Sequence, residues 1–363
     1  MIAVNKPEIL DLSYAELGEL VSSLGEPAFR ADQILGWVYK KSAVSFAEMT
    51  DLPQAFRQKL GQVAAFSGLV PVDEKVSADG MTRKVLIRLA DGSTIESVLM
   101  TYGEGSRGRV RGTVCVSTQA GCPIGCPFCA TGQQRFRRNL TCGEIIAQVL
   151  YFSKPSGNDE DRRSVTNVVF MGMGEPLANY EAVTKAIAML NLDAGFRLGA
   201  RQMTVSTAGI VPQIFRLAGE AVTVELAVSL HAATNKLRNY LVPVNQAYPL
   251  DELLSVCRYY LKRTGRRPTY EYALFQGIND SLNQAKDLAR LLKGMNCHVN
   301  LIAGNRTGDG KFTPAGPKQV LVFHQTLQER GLSSTIRTAM GEDIDAGCGQ
   351  LRGRSLATGR MKR

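Results

Sequence analysis

Thr113-Val-Cys115-Val-Ser-Thr-Gln-Ala-Gly-Cys122-Pro-Ile-Gly-Cys126-Pro-Phe-Cys129 runs from a β-type segment straight into three cysteines. The C-x3-C-x2-C spacing supplies three thiolates from one short loop, with no nearby fourth. A structural zinc site closes on four ligands, and an ordinary iron–sulfur cluster takes four cysteines. Three ligands to a four-iron cluster leave one iron open to a substrate or cofactor. The stretch therefore predicts cluster chemistry at the end of a strand.

Working outward, alternating elements follow. Thr113 to Thr118 reads as a strand and Cys142 to Phe152 as a helix. Strands are expected at Val165 to Met171, Gln202 to Ser206, Val222 to Leu230, Thr269 to Leu274 and His298 to Ile302, with one more at Ser333 to Arg337. Helical segments separate them. Six βα units in series imply an α/β fold with a parallel sheet curled into a full or partial barrel. In such a barrel the active face lies at the C-terminal strand ends. Those ends carry the cysteine loop, Gly172-Met-Gly174-Glu175-Pro176, Ser206, Ser229-Leu230-His231 and Asn305. Glu175 could accept from an ammonium, the glycines admit close backbone approach, and the serines and Asn305 suit a ribose or carboxylate. Each serine read alone is equally a helix cap, and a lone histidine is more often structural.

Ahead of the barrel, residues 1–66 read as a module of about three helices. Ser13 to Glu16 resembles a capping box, Phe29 to Lys41 forms an amphipathic segment, and a turn follows Asp51-Leu-Pro53. Residues 67–111 hold a small β unit, a hairpin around Ala90-Asp-Gly92, and a basic linker, Gly105 to Gly112. The barrel is assigned 112–341, and 342–363 a cysteine-bearing loop with a basic tail.

Composition narrows the class. The chain has 363 residues, 44% of them apolar, and eight cysteines, too dilute for a disulfide scaffold. Met1 to Pro7 has no apolar h-region, and no apolar run reaches the roughly 18 residues of a membrane span. The expectation is a cytoplasmic monomer with no membrane partner. Cys142, Cys257 and Cys297 read as small buried apolar residues. With 43 basic against 33 acidic residues, the net charge of +10 suits a polyanionic partner. A zinc knuckle borrowing His231 or Cys348 is the rival reading of the triplet. Cys115 stands in the first barrel strand. Cys348 stands in Asp343-Ile-Asp-Ala-Gly-Cys-Gly-Gln350, where flanking glycines leave its sulfur accessible, as a metal ligand or a nucleophile.

The triplet resembles the cluster motif of radical S-adenosylmethionine enzymes. Longer stretches resemble the RlmN/Cfr family of RNA methyltransferases: Phe29-Arg-Ala-Asp-Gln-Ile, Cys115 to Cys122, Phe170-Met-Gly-Met-Gly-Glu-Pro-Leu, Ser229-Leu-His-Ala and Asp343 to Leu351. The likeness spans about residues 10 to 353. It implies a partial (βα)6-type radical SAM barrel and a 4Fe–4S cluster on Cys122, Cys126 and Cys129. S-adenosylmethionine contacts carry over to Gly174, Glu175, Ser206, Ser229, Leu230, His231 and Asn305. It further implies two S-adenosylmethionine molecules per turnover, one methylating Cys348 and the other yielding a 5′-deoxyadenosyl radical. Cys115 would help remove the ring proton and release product through a disulfide with Cys348, and Glu96 would stand near the base. The substrates implied are adenosine C2 of 23S rRNA and of tRNA, with an electron donor such as flavodoxin.

Two alternatives stay open: Cfr-type C8 methylation of the rRNA adenosine, which confers antibiotic resistance, and a non-catalytic zinc-stabilised RNA-binding protein. Pro176 favours the C2 type over C8. Two stretches depart from the family pattern. Ala303-Gly304-Asn305 lacks a bulkier pair before the asparagine, and Ala346-Gly347-Cys348 replaces Ala-Ala-Cys, a change expected to loosen the loop. Basic residues suited to RNA phosphates are Arg107, Arg109, Arg111, Arg135, Arg137 and Arg138 near the active face. Others are Arg30, Lys40 and Lys41 in the helical module, the run Lys262 to Arg267 on the opposite face, and the tail from Arg352.

Overall fold

The structure, a computed structural model, describes residues 6–66, 69–103, 111–153, 165–305, 310–337 and 340–353. Arg107, Arg109 and the tail beyond residue 353 lie outside them.

The N-terminal module contains α1 (Tyr14–Ser23), α2 (Arg30–Leu35) and α3 (Gln54–Val63). Helix α1 starts on the expected capping box: Glu16 N donates to Ser13 Oγ at 3.2 Å, and Ser13 N to Glu16 Oε2 at 2.6 Å. Leu17, Val21, Ile34, Phe56 and Leu60 are fully buried between the three helices. The amphipathic segment to Lys41 is not one regular helix. It widens into a π-helical turn, Gly36–Lys40, beginning at glycine, the weakest helix former after proline. Lys185 Nζ reaches Glu16 Oε2 at 2.6 Å and Gly143 N donates to Asp11 Oδ1 at 2.6 Å, so the module rests on helices of the barrel.

Ten strands form one sheet. They are β1 (Val70–Val76), β2 (Thr82–Arg88), β3 (Thr94–Tyr102), β4 (Arg111–Cys115), β7 (Asn167–Phe170), β8 (Met203–Thr207), β9 (Glu225–Ser229), β10 (Thr269–Leu274), β11 (His298–Ala303) and β12 (Ser334–Arg337). The short β5 (Gln119–Ala120) and β6 (Arg138–Asn139) pair apart from it. Strands β4 and β7 through β12 run parallel, while β1, β2 and β3 add on antiparallel. Among the described residues β1 and β12 do not meet, so the barrel is partial. Helices α4 (Cys142–Ser153), α5 (Tyr180–Asn191), α6 (Val211–Leu217), α7 (Asn235–Leu241), α8 (Leu250–Thr264), α9 (Leu282–Leu291) and α10 (Pro317–Glu329) connect the parallel strands.

The β unit read at 67–111 is thus not free-standing. Strand β3 pairs with β4 from Val98↔Cys115 to Tyr102↔Arg111, and the sequence reading missed β1. Its residues alternate weakly, since both faces are largely exposed.

Alternation along the parallel strands separates two faces. Leu226, Val228, Tyr270, Tyr272, Val299 and Leu301 are buried toward the helices, where Tyr272 meets Phe323 of α10 at 5.3 Å. The inner face instead carries Cys115, Ser206, Ser229, Glu271 and Asn300. Register sets Ser229 opposite Glu271, and Glu271 opposite Asn300.

The Gly172-to-Pro176 turn is pressed against the chain leaving β4. A Cβ on Gly172 would lie 2.7 Å from the Val116 carbonyl carbon, and one on Gly174 (φ +103°) 2.6 Å from Gln119 Cβ. Both glycines are therefore demanded by protein packing. Gly172→Ala, having no φ penalty, should cost about 1–3 kcal/mol through overpacking alone, read as a lower Tm.

Candidate active site

The cysteine loop folds back on itself. Gly121 has φ +80°, and a Cβ there would stand 2.4 Å from the Arg135 carbonyl oxygen. Cys129 N donates to Cys126 O at 3.1 Å. Between these cysteines, Phe128 seats its ring edge-on to His231 at 4.9 Å and beside Phe275 at 5.2 Å. The loop is thereby wedged against the ends of β9 and β10. All three thiols are half-buried. Desolvation pushes Cys122 up to about 12, with nearby Cys129 and Glu175 adding to it. Burial, then Cys129 and Cys122, drives Cys126 well above the usual thiol range.

Three thiols from one loop, with Cys122 and Cys126 desolvated, fit a cationic iron–sulfur group, which favours thiolate ligation. Among the described residues no three His, Cys, Asp or Glu side chains converge on a point for one ion.

Glu175 is 3% exposed. Its Oε2 accepts from Ala208 N at 2.7 Å and its Oε1 from Leu177 N at 3.2 Å, while its own amide donates to Gln119 Oε1 at 2.8 Å. Burial raises it to about 7 despite those donors, so a cationic ligand would draw it to the charged form. His231, at φ +57°, accepts from Ala273 N through Nδ1 at 3.0 Å. Burial lowers it to about 3, leaving a neutral ring with its proton on Nε2. Ser206 and Ser229 are half-buried and Leu230 is fully buried.

What holds these strand ends together is a residue not singled out from the sequence. Arg238 of α7 is fully buried and donates to Ala208 O (2.6 Å), Ser229 O (3.0 Å), Leu230 O (3.2 Å) and Asn245 Oδ1 (2.9 Å). Desolvation lowers it to about 10, with Cys126 acting the other way. Nothing local marks it: an arginine on a short helix reads as a surface residue.

Asn305 lies at the mouth as expected, but its Nδ2 donates to Cys348 O at 2.7 Å. Gly304 leaves room for Phe275, whose ring would be 2.3 Å from a Cβ there. The Cys348 loop is fastened, contrary to the looseness expected of Gly347. A Cβ on Gly347 would fall 2.6 Å from Gln350 Oε1 and 2.9 Å from Asn305 Nδ2, so its absence lets both close in. Ala130 N donates to Gly349 O at 2.8 Å and Thr131 Oγ1 to Leu351 O at 2.8 Å, laying this loop over the cysteine loop.

Cys348 is open to solvent. Desolvation, then Glu271 and Cys129, raise its thiol to about 11. Cys115 is buried, and desolvation followed by Cys348 pushes it to about 12. Cys348 is thus near enough to Cys115 to bear on it electrostatically. The disulfide implied by the resemblance is absent: all eight cysteines are free. Cys348 belongs to a loop docked elsewhere, and Cys115 to a strand. Glu96 is buried beside Lys84 at 3.4 Å. Glu271, also missed, accepts from Asn300 Nδ2 at 2.8 Å through Oε1, while its buried Oε2 has Arg337 at 3.8 Å. Cys142, Cys257 and Cys297 are buried, as expected.

Of the cations assigned to RNA, Arg138 is occupied within the fold, bidentate to Glu144 at 2.7 and 2.8 Å and bound to Asp91 at 2.7 Å. Arg135 and Arg137 are exposed.

Comparison with known proteins agrees with this arrangement. The radical SAM superfamily profile matches residues 116–292, and that of the ribosomal RNA large subunit methyltransferase N-terminal domain matches 7–66. A Moorella thermoacetica protein named probable dual-specificity RNA methyltransferase RlmN is 48% identical over 93% of this chain and 94% of its own. This chain belongs to the RlmN family. Its Geobacillus thermodenitrificans relative of the same name is 44% identical over 95% of this chain and 93% of its own. The crystal structure of a radical SAM methyltransferase from Sphaerobacter thermophilus superposes with a TM-score of 0.90 at 46% identity, covering 96% of this chain and 100% of that one. With membership of the RlmN family come the 4Fe–4S cluster and S-adenosylmethionine as cofactors. No helix among the described residues is long and apolar enough to cross a membrane.

Two outcomes follow from this geometry. Arg238→Met strands three buried acceptors, each worth about 1–3 kcal/mol, and a part-buried fourth, and should lower both Tm and S-adenosylmethionine affinity by equilibrium dialysis. In cluster-free protein, alkylation of Cys348 should keep rising toward pH 11. At neutral pH it should run on the order of a hundredfold slower than at a free cysteine.

Proposed function

We propose that this chain is an RNA methyltransferase that places a methyl group on C2 of adenosine in 23S rRNA and in tRNA. The observation that carries the reading is the Cys348 loop laid over the cysteine loop, with Cys348 near enough to Cys115 to bear on it electrostatically. Adenine C2 is too weak a nucleophile for direct methyl transfer, so a carrier is needed. When bound, the cluster and S-adenosylmethionine supply one-electron chemistry able to activate an otherwise inert C–H bond.

The chain's own residues then divide the work. Cys122, Cys126 and Cys129 are the cluster ligands. Glu175, buried and near neutrality, accepts from the amino group of S-adenosylmethionine, and Gly174, Ser206, Ser229, Leu230, His231 and Asn305 line the rest of its site. Neutral His231 donates through Nε2. Cys348 carries the methyl group; its thiol must give up a proton that the site holds tightly, so it is nucleophilic only when aligned with a sulfonium. Cys115, buried in β4, takes the adenine proton as the radical adduct gives back its unpaired electron. It then attacks the Cys348 sulfur: the Cys348 S–CH2 bond breaks, the freed carbon takes up a proton to become the methyl group, and the two sulfurs are left as a disulfide. Glu96 stands beside the base. Exposed Arg135 and Arg137 meet RNA phosphates, and the N-terminal module presents Lys40 and Lys41 to the same partner. A base buried in folded RNA must be unstacked to reach the mouth. A single protomer working in the cytoplasm with a reduced flavodoxin suffices for this scheme.

Mass spectrometry of nucleosides from treated rRNA and tRNA tests the reading. 2-Methyladenosine is expected; 8-methyladenosine would replace it with the Cfr-type reaction, and no methylated adenosine would sink it. Cys348→Ala should abolish transfer, and Cys115→Ala should trap enzyme covalently on RNA. Normal turnover by Cys115→Ala would remove the resolving role from that residue.

A further inference from the structure

The loop bearing Cys348 is tied at both ends to the hairpin of β2 and β3. Ala78, in the turn before β2, donates its amide to Asp343 Oδ2 at 2.8 Å. Lys84 Nζ donates to the Asp345 carbonyl at 2.9 Å and lies 3.4 Å from Glu96 Oε1. Glu96 Oε2 in turn accepts from Arg352 N at 2.5 Å. One buried ammonium therefore touches the chain just before Cys348, and its carboxylate partner touches the chain just after. The two side chains are 8% and 6% exposed. They sit diagonally on adjacent strands, since Lys84 pairs with Val98 and Glu96 with Leu86.

A buried ion pair is weak evidence for stability, because desolvation offsets most of its attraction, and apolar residues of like volume often serve as well. Its value here is geometric. The cysteine loop and Asn305 hold the loop from one side; on the other, Gly341, Gly347 and Gly349 lie within nine residues and Asp345 is itself left-handed at φ +53°, so that side needs ties of its own. A charge-assisted bond to a carbonyl on one side and an amide on the other permits a single placement. We propose that Lys84 is a positioning residue. It holds the Cys348 loop at a set height above the cysteine loop and aligns Glu96 with it. The catalytic consequence rests on Cys348 being the methyl carrier; the placement itself does not.

Full-length Lys84→Gln, Lys84→Arg and Asp343→Ala test this. The first readout is the iodoacetamide alkylation rate of Cys348 in cluster-free protein, followed by peptide mass spectrometry, with buried Cys257 as the internal reporter of global unfolding. Lys84→Gln should speed Cys348 alkylation about fivefold without exposing Cys257, and Lys84→Arg should return it to near the wild-type rate. Asp343→Ala, altering an exposed tie, should shift the rate the same way by a smaller factor and keeps the test alive if Lys84→Gln misfolds. The second readout is methyl transfer to an rRNA fragment. Lys84→Gln should lower kcat about 10- to 100-fold with KM for RNA nearly unchanged, as expected of a small misplacement. Alkylation and kcat like wild type in Lys84→Gln would overturn the proposal, as would parallel exposure of Cys257. Absence of methylated product from the wild-type enzyme would sink the methyl-carrier reading alone, because the alkylation contrast needs neither cluster nor RNA.

Discussion

A single buried guanidinium organises the cofactor end of this barrel. Arg238 carries a positive charge into a fully buried position, and the acceptors it meets among the described residues are neutral oxygens. Burying a charge is tolerable only when its hydrogen-bonding capacity is met. The carbonyls ending β8 and β9 must therefore point at it, and that fixes where Ser206, Ser229 and His231 begin. The same cation lies close enough to Cys126 to offset part of the burial that disfavours its thiolate. The strand ends and the cysteine loop thus share one anchor.

On that base, two loops are laid face to face. The cysteine loop is wedged by Phe128 against His231 and Phe275. The Cys348 loop is held above it through Ala130, Thr131 and Asn305, and from the other side by Lys84 and Glu96. A parallel barrel alone would leave its last strand end open. The antiparallel β1, β2 and β3 extend the sheet past β4 and bring their polar side chains within reach of residues some 260 positions later, as Lys84 to Asp345 shows. This holds the Cys348 loop over the cysteine loop, near enough to the buried thiol of Cys115 to bear on it.

How much of this was legible in the chain differs by residue. The strand–loop–helix alternation and the C-x3-C-x2-C triplet are local patterns, and the capping box at Ser13 is as well. Polar residues recurring at strand ends drew Glu175, Ser206, Ser229, His231 and Asn305 together, because barrel topology converts sequence order into one face. The readings that shifted were those depending on a distant partner. Arg138 looked like an RNA contact until Glu144 and Asp91 claimed it. Gly347 looked like a loosening until Asn305 and Gln350 filled its space. Lys84, Arg238 and Glu271 carried no signal, since a lone charged residue in a strand or short helix is by default solvated.

The sequence by itself determined the family, the cofactors and the order of elements, because those depend on short spacings and periodicities that neighbouring residues carry. Only the tertiary structure decided which polar groups are buried, and against what. Burial sets the protonation of Glu175 and His231, and it turns Lys84 and Arg238 from ordinary cations into fixed supports. That is a property of desolvation by segments hundreds of residues apart, and no local stretch of chain contains it.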